Sequence, residues 1–185
     1  MELVMHMTTK PASIFLASIQ LYHYLHLFFQ FNEICYFDKK NMEGFFKNVT
    51  IRWSDLDPNF HVRHSVYYDW GAYVRICYLN ETGLTPQLLL QHHLGPILFR
   101  EEAIFKKEIH FNDVIYVNVS MRSATASGTR WSLQHELLNK NGTLHAIINI
   151  DGAWMDTKAR KLTEPPEIFL QKFLAMPKTE NFMLL

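Results

Sequence analysis

A single long helical segment, residues 65–81, is followed by a chain in which strand-like patterns dominate, and this order limits the possible folds. Ser65 can cap the start of the helix, and Gly83 with Pro86 marks its end. The apolar residues of the segment recur at helical spacing: Val66, Trp70, Tyr73, Val74, Cys77 and Tyr78. One helix cannot bury its apolar face alone, whereas an antiparallel sheet that curls around it can do so. The sequence therefore predicts an α+β fold, with an antiparallel β-sheet wrapped around a long central α-helix.

Strand-like alternation of apolar and polar residues is found on both sides of this helix, and residues 45–53 predict the first strand. Four later strands, joined by hairpins, are predicted at residues 97–111, 114–122, 129–138 and 144–155. The clearest turn is Asn-Lys-Asn-Gly at residues 139–142, because Asn-Gly tolerates the positive φ angles of a type I′ turn. Residues 84–96 predict a short helix or a lid, and residues 168–174 predict a terminal helix. Such a sheet keeps one open edge, so we expect it to pair with a second copy of the chain.

Composition excludes several classes of protein. The 185 residues suit one globular domain with a real core. Lys+Arg and Asp+Glu both number 18, so the formal net charge is zero and no overall basic field favours a nucleic-acid partner. The two cysteines, Cys35 and Cys77, lie far apart in the sequence. This spacing argues against a disulfide framework or a zinc finger, and it favours a reducing compartment such as the cytoplasm.

Residues 1–41 differ from the rest of the chain, and residues 11–32 contain no charged side chain. This stretch has the length of a membrane helix, but its histidines and glutamines argue against one. A signal peptide fits poorly, because only one basic residue precedes the apolar run. The stretch is either an amphipathic helix, packed on the domain or on a membrane surface, or a segment upstream of a natural start at Met42. We favour the second, which makes residues 42–175 the domain and residues 176–185 a C-terminal tail. Mass spectrometry of the natively expressed N-terminus distinguishes the two.

Residues 53–64, between the first strand and the helix, concentrate titratable side chains. Two carboxylates, Asp55 and Asp57, are followed by two imidazoles, His61 and His64. Such groups on a strand-to-helix turn are typical of a catalytic loop, although a carboxylate before a proline can also cap the turn. For Asp55 and His61 we predict structural roles. No third ligand stands at a recognisable spacing from the two histidines, so no metal site is predicted.

Residues 55–68, followed by Trp70 and Arg75, resemble the signature of hotdog-fold acyl-CoA thioesterases. Within that family they resemble the 4-hydroxybenzoyl-CoA thioesterase-like group, which includes the Tol-Pal-associated thioesterases. The resemblance extends over about residues 45–170, and residues 106–115 resemble the family's second-to-third strand hairpin. The family pattern often reads Gly-His-Val-Asn-Asn, where this chain has Phe-His-Val-Arg-His at residues 60–64. Phe in place of Gly and Arg in place of Asn are departures from the pattern.

The resemblance implies that Asp57 is the catalytic aspartate and that His64, seven residues later, assists it. Asp57 would either attack the thioester carbonyl and form an anhydride, or act as general base for water. The first backbone N–H groups of the helix, at His64 and Ser65, have no intrahelical acceptor and lie at the positive end of the helix dipole. They are suited to stabilise the oxyanion that develops on the carbonyl. The implied reaction is hydrolysis of an acyl-CoA to a free acid and CoA, without a cofactor or a metal.

By their position in the resemblance, four basic residues are candidates for binding the CoA phosphates: Arg130, Lys158, Arg160 and Lys161. A solvated charged turn is the alternative for each of them. Tyr67 is expected to line the acyl pocket. We expect a cytoplasmic homo-oligomer, a dimer or a tetramer, that does not bind nucleic acid or membranes. Two alternative functions stay open: a non-catalytic acyl-thioester-binding protein with the same fold, and a thioesterase that acts on acyl carrier protein.

Overall fold

Apolar residues that alternate along the predicted strands come together in a single sheet. In the computed structural model, which describes residues 44–185, this sheet has seven strands. The elements follow one another as β1 (Phe45–Val49), a 3₁₀ turn (Trp53–Asp55), α1 (His64–Glu81), α2 (Pro86–Gln91), β2 (Leu94–Phe105), β3 (Ile115–Ala124), β4 (Arg130–Asn139), β5 (Leu144–Asp156), β6 (Lys161–Leu162), α3 (Glu167–Leu174) and β7 (Lys178–Leu184). The predictions made for residues 1–41 and for a start at Met42 lie outside the described residues.

The strands are hydrogen-bonded in the order β1-β3-β4-β5-β2, with β6 paired to β5 and β7 paired to β3. Every pair is antiparallel except β3 with β7, so the predicted antiparallel sheet is confirmed, with one parallel addition. On β3, alternate residues are fully buried because they face the same side of the sheet: Ile115, Val117, Val119 and Met121. These side chains share one apolar cluster with α1, which packs most extensively against β3.

The predicted hairpin between the second and third strands is wrong. β2 pairs with β5, at the far side of the sheet from β3, and residues 106–114 cross between them. A local turn is present in this link, since Asp113 Oδ2 accepts the His110 N–H at 2.8 Å. Turn residues report local backbone geometry and carry no information about which strands pair afterwards. β2 also ends at Phe105, earlier than its periodicity indicates.

Helix α1 begins at His64, with Arg63 at the N-cap position and no capping hydrogen bond from its side chain. The predicted capping by Ser65 is therefore wrong, and the Ser65 hydroxyl instead accepts a hydrogen bond from the Arg63 guanidinium. The helix ends at Glu81, and Gly83 follows at φ +79°, which confirms the predicted end. Within residues 44–185, neither α1 nor the shorter helices combine the length and the apolar character that a membrane span requires.

Gly71 lets α1 approach the sheet closely. A Cβ at this position would lie 3.2 Å from the His135 ring and 3.4 Å from Ile148 Cδ1. His135 lies on β4 and is fully buried, with its Nδ1 against the Asn118 carbonyl. Burial lowers the pKa of His135 to about 3, so its ring stays neutral in the core. The helix therefore packs on β4 and β5 across a side chain that carries no charge.

Residues 178–184, predicted as part of a C-terminal tail, form β7 parallel to β3. The Met121 N–H donates to the Pro177 carbonyl at 2.7 Å, and the Leu185 N–H donates to the Ala124 carbonyl at 2.8 Å. The preceding helix α3 buries its apolar face, including Phe173, which packs 5.2 Å from the Trp154 ring. The C-terminal segment therefore adds both a strand and core side chains to the domain.

Candidate active site

A closed turn at residues 57–61 holds Asp57 in place. The Asp57 N–H donates to the His61 carbonyl at 2.8 Å, and the Phe60 N–H donates to the Asp57 carbonyl at 2.9 Å. The Asp57 carboxylate takes part as well, because its Oδ1 accepts the N–H groups of Asn59 at 2.8 Å and His61 at 3.1 Å. No described residue donates a hydrogen bond to Oδ2, so this carboxylate oxygen stays available to a bound molecule.

Phe60 has φ 62°, in the left-handed region that glycine adopts without strain. The resembled family pattern often has Gly at this position, so the backbone here has a conformation that suits glycine although the residue is Phe. The Phe60 side chain is 62% exposed, and its ring lies 6.1 Å from the Trp53 ring. The departure at Phe60 therefore adds an exposed aromatic side chain to the loop.

Asp55 anchors the loop from inside the domain. Its carboxylate is 1% exposed and accepts hydrogen bonds from the Arg52 N–H at 2.8 Å and from the guanidinium at 3.0 and 3.2 Å. Burial alone would raise the pKa of Asp55, but these hydrogen bonds outweigh it, and the pKa lies below its ordinary value. The Asp55 carbonyl accepts the Arg63 N–H at 2.9 Å, which ties this residue to the start of α1. These contacts give Asp55 a structural role.

Asp57, His64 and Tyr67 line one cleft of about 410 Å³. The rest of its wall comes from loop residues 61–63 and from residues 105–108, at the end of β2 and in the crossing link. The structure thus brings together the two side chains predicted as catalytic and the tyrosine predicted to contact the substrate.

The N-terminus of α1 opens beside this cleft. His64 is exposed and lines the cleft, whereas Ser65 does not. The first backbone bond of this turn runs from the Val66 N–H to the Arg63 carbonyl at 3.1 Å. The N–H groups of His64 and Ser65 come before it and find no acceptor among the described residues. They are the donors that the sequence predicts for an oxyanion.

The buried ring of Tyr67 forms part of the cleft wall and carries a hydroxyl group. Its side chain is 3% exposed and its ring packs edge-on to Phe105, with centroids 5.0 Å apart. Burial raises the pKa of Tyr67 to about 12, and the negative charges of Asp113, Asp57 and Glu108 add to the effect. The hydroxyl therefore stays protonated at neutral pH and can donate a hydrogen bond.

The four predicted phosphate-binding residues do not line this cleft. Arg130 lies over the Phe99 ring at 5.2 Å. Lys158 and Arg160 lie in the turn between β5 and β6, and Lys161 is the first residue of β6. That turn follows Asp156, whereas the cleft lies at the Ala146 end of β5, where Ala146 pairs with Phe105. Ten residues of strand correspond to about 33 Å, so the two groups lie at opposite ends of the sheet within one chain.

Lys106, Lys107 and Glu108 were not predicted as site residues. Their backbone is fixed by His145 on β5, whose carbonyl accepts the N–H groups of Lys106 at 2.8 Å and Lys107 at 3.0 Å. The His145 Nδ1 also lies 2.9 Å from the Glu108 carbonyl. No local pattern links a residue of β5 with a segment so distant in sequence, so periodicity alone could not place these side chains at the cleft.

A curled sheet packed on a helix, with a polar cleft at the helix N-terminus, defines a hotdog-type fold of the kind found in thioesterases. The chain belongs to the Thioesterase-like superfamily, whose family model matches residues 51–173. No curated protein sequence matches the chain.

Solved structures share this fold. The hypothetical protein SAV2348 from Staphylococcus aureus, solved in complex with CoA, has a TM-score of 0.68 and 17% identity, and the match covers 77% of this chain and 88% of that chain. The DHNA-CoA thioesterase from the same organism has a TM-score of 0.63 and 14% identity, with 70% and 87% covered. A thioesterase from Thermus thermophilus, solved with coenzyme A and Zn, has a TM-score of 0.61 and 24% identity, with 72% and 96% covered. Sequence identities this low show a shared fold and no more.

Proposed function

We propose that this protein hydrolyses an acyl-CoA thioester to a free acid and CoA. The observation that carries the proposal is the arrangement of Asp57, whose Oδ1 is held by two backbone N–H groups while Oδ2 accepts no hydrogen bond from the described residues. The same cleft adjoins the unpaired N–H groups at the start of α1. Membership of the Thioesterase-like superfamily supports a reaction at a thioester.

Asp57 can act in either of two ways. As a general base it takes a proton from water, the hydroxide adds to the carbonyl, and the thiolate leaves and is then protonated. As a nucleophile its oxygen displaces the thiolate and forms an anhydride, which water then hydrolyses. Label in Asp57 after single-turnover hydrolysis in H₂¹⁸O with excess enzyme identifies the nucleophilic route. The general-base route places ¹⁸O in the free acid, whereas water attack on the aspartyl side of an anhydride places it in the Asp57 peptide.

In this proposal, the start of α1 stabilises the negative charge that develops on the carbonyl oxygen of the thioester. The N–H groups of His64 and Ser65 would bind the oxyanion, and the His64 ring would orient water or stabilise the leaving thiolate. The protonated Tyr67 hydroxyl is a further hydrogen-bond donor at the cleft. No residue in this scheme needs a metal, since a thiolate is already a good leaving group.

A second copy of the chain would complete the CoA site. β2 is an edge strand that pairs with β5 and with no other described strand. Four of its apolar side chains are exposed: Leu98, Phe99, Ile104 and Phe105. Antiparallel pairing of β2 with its twofold-related copy would place the Leu94 end of one chain beside the Phe105 end of the other. This brings the basic segment at residues 158–161 of the second chain towards the cleft of the first, whose own cations are Arg63, Lys106 and Lys107.

Mixed oligomers test this arrangement. The variant Asp57→Asn and the double variant Lys158→Glu/Lys161→Glu should each be inactive alone, because each lacks one half of every site. Coexpression should restore roughly one quarter of the wild-type activity for a dimer, since half of the dimers are mixed and each carries one intact site. Absence of any restoration would contradict a shared site. Wild-type activity of Lys158→Glu/Lys161→Glu alone would leave the phosphates to the cations of the cleft itself.

Three finer proposals concern the family branch, the cellular location and the substrate carrier. We place the chain in the 4-hydroxybenzoyl-CoA thioesterase-like branch, with the Tol-Pal-associated enzymes, and in the cytoplasm. Thiol release from a panel of acyl-CoAs and acyl carrier protein thioesters tests the activity and the carrier together. Release from CoA esters alone supports the main proposal, release from carrier-protein esters supports the alternative enzyme, and binding without release supports a non-catalytic protein.

A further inference from the structure

We propose that His61, Glu108 and His110 form a zinc-binding site at the wall of the cleft. One ligand atom from each residue can be chosen so that all three lie within 4.8 Å of one another. The sequence predicts no metal here, because His61 and His64 have no third ligand nearby in the chain. The fold supplies the missing ligands from the crossing link, which lies about fifty residues further along.

The ligand atoms lie somewhat further apart than in a zinc site, and each imidazole is near a different oxygen of Glu108. His61 Nε2 lies 3.9 Å from Glu108 Oε2, and His110 Nε2 lies 3.9 Å from Glu108 Oε1. A tetrahedral zinc ion with bonds of about 2.0–2.2 Å holds its nitrogen and oxygen ligands roughly 3.3–3.6 Å apart. The remaining gap is small enough for exposed side chains to close by rotamer adjustment. Glu108 and His110 have exposed side chains, and His61 is about one third exposed.

The backbone that carries these ligands is fixed. His61 and His110 form an antiparallel bridge, and the Val62 N–H donates to the Ile109 carbonyl at 2.8 Å. Val62 and Ile109, the neighbours of the two histidines, are 5% and 0% exposed. Two segments that are distant in sequence are therefore locked together at the point where both imidazoles project. A ligand set on a rigid backbone loses less conformational entropy when it binds a metal.

Asp113 lies beside the Nδ1 atom of the His110 ring. Its Oδ2 lies 3.7 Å from His110 Nδ1 and accepts the His110 N–H at 2.8 Å. Histidine ligands commonly direct their second ring nitrogen to a carboxylate, which fixes the tautomer and leaves the other nitrogen free to bind the metal. Here Nδ1 faces Asp113 at 3.7 Å, which is too long for a hydrogen bond, and Nε2 faces Glu108. A small shift of the exposed ring would give His110 the arrangement of a metal ligand and its supporting carboxylate.

The donor set selects the class of ion. Two imidazole nitrogens and one carboxylate oxygen suit zinc and other late divalent transition metals, whereas magnesium and calcium prefer oxygen ligands alone. Three protein ligands leave one coordination position for water or for an oxygen of a cleft ligand. The inference does not depend on the proposed hydrolase activity, and its test measures metal binding directly.

Zinc titration of the metal-stripped protein, without a polyhistidine tag, tests the site by calorimetry and thermal unfolding. We expect one zinc ion per chain and a rise in the unfolding midpoint, with no such rise for magnesium. His110→Ala and Glu108→Gln should each weaken zinc binding at least tenfold, because each removes a ligand. Asp113→Asn, which keeps all three ligands, should weaken it about 10–100-fold as a positioning residue. The control His92→Ala removes a histidine elsewhere on the surface and should leave the affinity unchanged.

Zinc affinity that is the same in wild type, His110→Ala and Glu108→Gln would overturn the proposal and reduce the cluster to surface ion pairs. An effect of His92→Ala equal to that of His110→Ala would do the same, since it would indicate unspecific binding to histidines. If His110→Ala fails to fold, the conservative variants Glu108→Gln and Asp113→Asn still decide the question, because both retain the size of the side chain. Circular dichroism of each variant establishes that the fold is present.

Discussion

Asp57 and His61 are joined by a reciprocal pair of hydrogen bonds: the His61 N–H donates to Asp57 Oδ1 at 3.1 Å, and the Asp57 N–H donates to the His61 carbonyl at 2.8 Å. One carboxylate thus closes the turn with Oδ1 and leaves Oδ2 for chemistry. The structural and the catalytic interpretations of this residue are therefore compatible. They can be separated by substitutions that keep the acceptor and remove the charge.

Asp57→Asn is expected to lower thioesterase turnover by about 10²–10⁴-fold, the usual contribution of a general base. The amide oxygen of Asn can still accept the N–H groups of Asn59 and His61, so the loop should keep its conformation. Thiol release measures the activity, and thermal unfolding measures the fold. Asp57→Ala serves as the comparison, because it removes the turn acceptor as well and should also lower stability. Near-normal turnover in Asp57→Asn would refute the assigned role.

Asp55→Asn is the matched substitution at the buried carboxylate of the same loop. It removes the ion pair with Arg52, and we expect a loss of about 1–3 kcal/mol in the free energy of unfolding, as for a disrupted buried hydrogen-bond group. Turnover per folded molecule should change far less than in Asp57→Asn. Chemical denaturation of both variants checks this contrast, and equal losses of turnover would contradict the division of roles.

The pH dependence of stability should reflect Asp55. Its folded pKa is lower than its unfolded value of about 3.9, so its contribution is fully present above that pH. The contribution is lost as the pH falls through the folded pKa. The stability difference between wild type and Asp55→Asn is therefore expected to be largest near neutrality and to shrink below about pH 4. A difference that stays constant down to the acid transition would exclude this linkage.

The sequence predicts the elements of this fold better than their arrangement. Helix α1 and the antiparallel strands follow from local periodicity, and a turn at residues 139–142 follows from its Asn and Gly residues. The predicted type I′ geometry is wrong, because Gly142 has a positive φ and Asn141 does not. The pairing of β2 with β5 does not follow from local patterns. It depends on the way in which several long strands of similar pattern close around the helix. β7 is missed for a related reason: residues 178–184 are short and partly polar, and they pair in parallel with a distant strand.

The residues of the candidate site also differ in whether the sequence alone can locate them. Asp57, His64 and Tyr67 lie within eleven residues of one another, so a motif suffices to find them, and the structure places them in one cleft. Lys106 and Glu108 reach the cleft only because the crossing link is held by His145 of β5. Long-range backbone contacts of this kind leave no periodic signal in the sequence.

Gly152→Ala is expected to destabilise the domain by about 1–3 kcal/mol, the usual cost of overpacking. A Cβ at this β5 position would lie 2.3 Å from the Trp131 ring and 2.6 Å from the Ile97 carbonyl oxygen, which is backbone and cannot move aside. Chemical denaturation measures the effect. Gly142→Asn is the control: apart from its chain neighbours, no atom lies within 4 Å of the position that a Cβ would take, and the φ of +76° also suits Asn. A loss at Gly142 as large as that at Gly152 would contradict the packing argument.

Phe60 allows a test of the loop conformation itself. At φ 62° a β-branched side chain is strained more than Phe, so Phe60→Val should lower the free energy of unfolding by about 1–2 kcal/mol. Phe60→Gly relieves the strain but gives the unfolded chain more freedom, which offsets about 0.4–1 kcal/mol of the gain. We therefore expect Phe60→Gly to be nearly neutral in stability and to keep the turnover of wild type, since the ring is 62% exposed and the backbone path is unchanged.

Thermal unfolding and thiol release measure both variants. Phe60→Val as stable as Phe60→Gly would show that the loop does not hold residue 60 in the left-handed conformation, whereas a loss of turnover in Phe60→Gly alone would assign the ring a role in substrate binding.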